Sequence, residues 1–143
     1  MTDGTLGGGC LCGAVRFEID LPTRFCAHCH CSMCRGAHGA AFVTWVGVPN
    51  EQFRLVEGAE HLRRHASSAA AHRSFCRECG STLLFDGERW PGETHVSRAA
   101  ISGEIDRAPQ AHVYWDDRAP WLTLYDELPK LGGPTGVEPL SPG

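Results

Sequence analysis

No stretch of this chain is long enough to cross a bilayer as a helix. Its longest mostly apolar run, Gly39 to Val48, falls well short of the roughly 20 residues a span requires and is interrupted by Thr44 and Gly47. A basic surplus is missing too. The formal net charge of −4 argues against a general nucleic-acid binder, whose affinity rests on neutralising phosphates. Scattered arginines, notably Arg35, Arg63, Arg64, Arg73 and Arg77, read most simply as solvated surface. The opening residues, Met1 to Gly9, show neither the basic start nor the apolar stretch of a secretory leader. A cytoplasmic location with reduced cysteines is the expectation, and no membrane partner. No window reads as a capped amphipathic helix of any length; Ala66 to Ala71 is helix-friendly but short, and fits a loop equally well. There is no internal repeat beyond recurring cysteine knuckles. At 143 residues a single domain is expected, small enough that bound metal would help to stabilise it.

What is present points to strands. Val15, Phe17 and Ile19 alternate with Ala14, Arg16 and Glu18, the pattern of a half-buried strand. Ala40 to Val48 is rich in β-branched and aromatic residues and stops at the turn signal Pro49-Asn50. Further short strands are expected at 53–56, 61–65, 72–76, 82–85, 94–98 and 111–115, separated by turn formers such as Glu57-Gly58, Asp86-Gly87 and Pro91-Gly92. The domain is expected to fill residues 1–130. The segment from Leu131 to Gly143 has the composition of a flexible tail. The fold class is mostly β.

Seven of the eight cysteines fall into three tight clusters: Cys10 and Cys12; Cys29, Cys31 and Cys34; Cys76 and Cys79. Such spacings let one turn aim several sulfurs at a point about 2.3 Å away, the reach of a zinc–thiolate bond. They suit disulfides poorly, because near neighbours seldom meet the required Cβ geometry. Two zinc ions per chain are the natural count, and two partitions compete. In one, Cys10, Cys12, Cys76 and Cys79 form a closed site, and Cys29, Cys31 and Cys34 form an open one. In the other, Cys26 and Cys29 pair with Cys76 and Cys79 as a zinc ribbon, while Cys10 and Cys12 pair with Cys31 and Cys34. That second arrangement gives two closed, structural sites. Spacing favours the first, because one turn gathers Cys29, Cys31 and Cys34, and an open position is where zinc does chemistry.

Three motifs carry a family resemblance: Gly8-Gly-Cys-Leu-Cys-Gly-Ala-Val-Arg-Phe17, Cys29-His-Cys-Ser-Met-Cys-Arg-Gly-Ala-His-Gly-Ala-Ala-Phe42 and Arg73-Ser-Phe-Cys-Arg-Glu-Cys-Gly-Ser-Thr-Leu83. In order and separation they resemble the glutathione-dependent formaldehyde-activating enzymes, a family that includes centromere-protein-V-like proteins, over roughly residues 8 to 126. The resemblance implies a β-tent fold of stacked antiparallel sheets stapled by zinc. It implies a structural zinc on Cys10, Cys12, Cys76 and Cys79, and a catalytic zinc on Cys29, Cys31 and Cys34. It also implies a carbon–sulfur lyase reaction on a thiol–aldehyde adduct, such as S-hydroxymethylglutathione formed from formaldehyde. Glutathione would be the co-substrate, and the partners a small thiol and an aldehyde.

The neighbouring residues have plainer readings beside functional ones. His28 and His30 are a proton shuttle or a fourth ligand, or simply turn and strand residues. His38 touches a substrate or satisfies a loop. Cys26 is most simply a small buried hydrophobe. Trp45, Trp90, Trp115 and Trp121 read as packing residues, one of them a candidate pocket wall. Gly13 and Gly80, each just after a cysteine pair, are expected at positive φ, turning amides toward sulfur. A second functional class stays open: a zinc-stabilised module whose sheet surface docks a protein. A concave pocket beside an accessible metal site separates the two.

Overall fold

The computed structural model describes residues 4–140. Strands β1 (Gly4–Gly9), β2 (Arg16–Leu21) and β5 (Phe53–Glu57) make an antiparallel sheet in the order β1-β2-β5. A larger sheet joins β3 (Phe25–Cys29), β4 (Val43–Pro49), β6 (Leu62–Ser68), β7 (Ala71–Cys76), β8 (Thr82–Gly87), β9 (Glu93–Ser97) and β10 (His112–Val113) in the order β10-β3-β4-β9-β8-β7-β6. Only β10 runs parallel to its neighbour, β3; the other pairings are antiparallel. A seven-residue helix, α1 (Ser32–His38), follows β3, and a small hairpin joins β11 (Leu131–Gly132) to β12 (Glu138–Pro139). The fold is mostly β, and no helix among the described residues is long and apolar enough to cross a membrane.

The period of two in each strand gives the large sheet two different faces. On one face, Cys26, Val46, Val96 and Leu84 lie in register across β3, β4, β9 and β8. They pack with Phe17 and Ile19 of β2 into the main core between the two sheets. Arg16, next to Phe17, points outward, so β2 is apolar on one side only. On the other face, Ala27 stands opposite Trp45, His95 opposite Phe85, and Phe85 opposite Arg73. That second face is the floor of the cavity described below. Because β4 is buried on both sides, its side chains serve both: Val46 and Val48 the core, Val43 and Trp45 the floor. Gly47 fits the same logic. The Phe25 ring lies where a Cβ on Gly47 would sit, 2.1 Å from the nearest ring atom.

Several elements depart from the sequence expectation. Strands β1 and β3 were not anticipated, and α1 arises where no helix was expected. Helix α1 buries only Cys34 and has no side-chain cap at its start, so it carries no apolar stripe to read. Ala66 to Ala71 is the β6–β7 hairpin, not a helix. The strand expected over 111–115 shrinks to β10, because Tyr114 turns to positive φ and a 3-10 turn begins at Trp115. The segment from Leu131 pairs as β11 and β12, anchored by the Tyr114 amide donating to the Gly136 carbonyl at 2.8 Å. Its last three residues, 141–143, lie outside the described residues.

Candidate functional site

Two turns bring Cys10, Cys12, Cys76 and Cys79 together. The first leaves β1 and the second joins β7 to β8, so the cluster bridges the two sheets. All four sulfurs lie within 4.8 Å of one another, with Cys10 and Cys12 3.6 Å apart and Cys12 and Cys76 3.8 Å apart. A tetrahedron built on about 2.3 Å zinc–sulfur bonds has sulfur–sulfur edges of about 3.8 Å. The donor set and its spacing could therefore hold a metal ion. Gly13 and Gly80 adopt φ of 82° and 80°. Their amides donate to the carbonyls of Cys10 and Cys76, and the Val15 amide reaches Cys10 Sγ at 3.2 Å. The Ser81 hydroxyl, 3.2 Å from Cys79 Sγ, helps hold that thiol down at about 5. Cys76 and Cys79 thus meet Cys10 and Cys12, not Cys26, which is fully buried in the main core.

Cys29 ends β3, and Cys31 and Cys34 follow at the start of α1. Cys29 and Cys34 lie 3.5 Å apart, sulfur to sulfur. Sharing among these thiols pulls the Cys31 pKa down and pushes Cys29 up. Two donors reach Cys34 Sγ from the side, Trp45 Nε1 and Arg73 Nη1, each at 3.5 Å. Arg73 is only 6% exposed and lies 5.0 Å from the Phe85 ring centre. It therefore brings a buried positive charge to a cluster of thiols. Three buried polar atoms lack a hydrogen-bond partner among the described residues: His30 Nδ1, His38 Nε2 and Arg73 Nε. Each belongs to a side chain next to, or packed against the surroundings of, these three cysteines. Orphan groups are rare in protein interiors.

This cluster borders a cavity of about 530 Å³. Its floor is the second face of the large sheet, and Trp45, Phe85, Trp90 and His95 form an aromatic wall with neighbouring ring centres 5.4–6.1 Å apart. Burial holds the His95 ring below the usual imidazole range, and Glu93 bonds its Nε2 at 3.0 Å. Leu131 and Val137 of the C-terminal hairpin add to the lining. The four-cysteine cluster takes no part in it.

Among the residues in question, His28 bonds Thr44 at 2.8 Å. His30 is fully buried, its Nε2 2.8 Å from His112 Nδ1, and His112 Nε2 is 2.9 Å from Asp126. Burial lowers His30 to about 4. Desolvation does the same for His38, whose ring meets Trp45 edge-on. Trp45 and Trp90 are cavity walls, Trp115 packs on His30 and His112, and Trp121 is 70% exposed rather than packed. Sequence reasoning missed the support from His112, 82 positions from His30 in the chain, and from Asp126 beyond it, because such separation leaves no local pattern. It also placed Arg73 on the surface. One signal for Arg73 existed: on strand β7 it shares a face with Phe75, two residues on.

Two sheets, a four-cysteine group that could hold a metal ion and a three-cysteine cluster beside a cavity define the class: a small thiol-rich β protein. The family model of the glutathione-dependent formaldehyde-activating enzymes matches residues 5–117. The chain belongs to that family. A Halomonas elongata protein named "Putative glutathione-dependent formaldehyde-activating enzyme" is 29% identical over 126 residues, covering 83% of this chain and 80% of that protein. A Schizosaccharomyces pombe protein named as an uncharacterized lyase is 35% identical over 85 residues, 54% of this chain and 55% of its own length. Among solved structures, a Rhodobacter sphaeroides protein is similar with a TM-score of 0.59 and 32% identity, over 70% of this chain and 91% of that one.

Proposed function

We propose that this chain is a zinc-dependent enzyme of the carbon–sulfur lyase type, working in a reducing compartment such as the cytoplasm on the adduct of a small thiol and an aldehyde. Glutathione is the expected thiol, in keeping with the family and with the name of the Halomonas relative. In this reading the two-sheet domain, β-tent in form, carries one structural zinc on Cys10, Cys12, Cys76 and Cys79. A second, catalytic zinc sits on Cys29, Cys31 and Cys34. The observation that carries the proposal is the placement of the cavity, which adjoins the three-cysteine cluster and not the four-cysteine one. A docking module would need no such cavity.

The reaction is an addition without redox change. The thiol sulfur's electron pair forms the new carbon–sulfur bond, the carbonyl π pair moves to oxygen, and the thiol proton ends on that oxygen. The lyase direction breaks the same bond. Zinc held by the three thiolates would supply an open position that accepts a thiol sulfur and favours its deprotonation. The chain's own residues do the rest. Arg73, bonded to Cys34, offsets the negative charge that three thiolates concentrate at the cluster. Trp45 fixes the same sulfur from another direction. The aromatic wall keeps bulk water from the adduct. The His30–His112–Asp126 chain holds the loop between Cys29 and Cys31 in one orientation.

Exchange NMR of glutathione, formaldehyde and their adduct measures interconversion directly. The zinc-loaded protein is expected to speed it well beyond a Cys31→Ser control at matched pH. Rates no higher than that control, with glutathione leaving the metal site unperturbed, would sink the formaldehyde reading.

A further inference from the structure

Resting on that reading, we propose that the aldehyde half of the adduct carries a bulky apolar group, aryl-alkyl or branched aliphatic, and that formaldehyde occupies only the cysteine end of the site. Size is the first argument. The cavity holds about 530 Å³, within the range of pockets that enclose ligands of many heavy atoms. The thiol half shares this space, but glutathione is a polar, charged peptide that does not match a ring-lined wall, and the single carbon of formaldehyde adds little more than the roughly 30 Å³ of a water.

Chemistry is the second argument. Polar character gathers at one end, where Cys29, Cys31, Cys34 and Arg73 meet. Away from that end most of the wall is rings, from Phe25, Trp45, Phe85 and Trp90, although Glu88, Arg89 and Gln110 also reach the lining. Phe25 meets His95 edge-on at 4.8 Å and Phe85 meets Trp90 edge-on at 5.9 Å, so ring faces are already arranged for a further ring. A hydroxymethyl group would leave these surfaces facing water. An apolar substituent would bury them. The carbonyl carbon must lie at the cysteine end to meet sulfur, so its substituent extends along the aromatic wall.

The third argument concerns where the wall comes from. Leu131 and Val137 line the cavity, yet they lie beyond residues 5–117, the span the family model matches. The hairpin carrying them is held down by Arg89, which donates to the Tyr114 hydroxyl and to the Thr135 carbonyl. This chain therefore completes the cavity with residues that the family's description does not govern. The addition itself is unchanged: the carbon–sulfur bond forms, the thiol proton passes to the carbonyl oxygen, and no oxidant is needed.

Binding of two stable thioethers to the zinc-loaded full chain tests this by calorimetry. S-methylglutathione stands for the formaldehyde adduct, and S-(2-phenylethyl)glutathione for the adduct of an aryl-alkyl aldehyde. The phenylethyl compound is expected to bind about tenfold tighter or more. Two substitutions at exposed lining positions should remove that preference without unfolding the protein: Ala70→Trp, which fills the mouth, and Val137→Asp, which makes it polar. Equal affinities, tighter binding of the methyl compound, binding of neither, or a preference that survives both variants would overturn the proposal. Exchange NMR with formaldehyde and phenylacetaldehyde separates it from the reading it rests on. Catalysis of formaldehyde exchange without any preference leaves the enzyme reading standing and removes this one. A clear preference without catalysis of either exchange keeps the apolar site and removes the lyase.

Discussion

Cys10, Cys12, Cys76 and Cys79 come from two turns that belong to different sheets, whereas Cys29, Cys31 and Cys34 come from one short stretch where β3 gives way to α1. The first set joins parts of the chain that are 64 positions apart and places Cys10 and Cys76 inside the main core. The second set is local, lies on the opposite face of the large sheet and borders the cavity. One residue type thus serves two ends. A long-range, core-embedded cluster adds to folding free energy whenever it binds metal. In the proposed reading, the local cluster would add little to the fold and would leave a ligand position open.

The sharpest way to break this comparison is to cut each cluster once. Cys76→Ser should cost about 4 kcal/mol or more, seen as a Tm lower by about 10 °C or more. Cys31→Ser should leave Tm within about 3 °C of wild type while removing exchange activity. Equal damage by melting would mean that the clusters do not differ as described. A finer cut is Arg73→Gln. Because Arg73 touches Cys34 and neither Cys10 nor Cys76, it should weaken metal at the three-cysteine site about tenfold and leave the other site unchanged. Chelator competition resolves the two.

The smallest effect is expected far from both clusters, at the ion pair of Asp20 with Arg54. Two hydrogen bonds of 2.8 Å from Arg54 and one from Thr5 hold the Asp20 carboxyl down at about 2. A depressed carboxyl favours the folded state above its unfolded value, and that contribution disappears as pH falls through about 2. Asp20→Asn should therefore lower Tm by about 1 °C or less near neutral pH, since solvent screens an exposed pair. Below that low-pH window wild type and variant should melt alike. A large effect would show that the small sheet, not the four-sulfur staple, dominates stability.

Much of this was legible before any coordinates. Alternation revealed β2, and turn formers bounded most strands from β5 to β9 within a few residues, because those strands put side chains on two distinct faces. β1 escaped notice because its sequence, Gly4-Thr-Leu-Gly-Gly-Gly9, offers almost no side chains to alternate. β3 escaped because Cys26, Ala27 and Cys29 are buried toward both faces, which erases the contrast. The cysteine clusters were readable from spacing, since cysteines gathered by one turn are neighbours in sequence. The cavity was not. It forms from a sheet face, a hairpin and an arginine that meet only when the strands are in register, and no local pattern records that.

The central claim, that one sulfur centre is closed and the other open to a thiol, is tested most directly with both sites filled by cobalt(II). Sulfur-to-cobalt absorption bands are followed while glutathione is added. The account predicts that the bands of one site shift with thiol and those of the other stay fixed, and that Cys31→Ser abolishes the shift. Bands that do not respond at either site, or that respond at both, would contradict it.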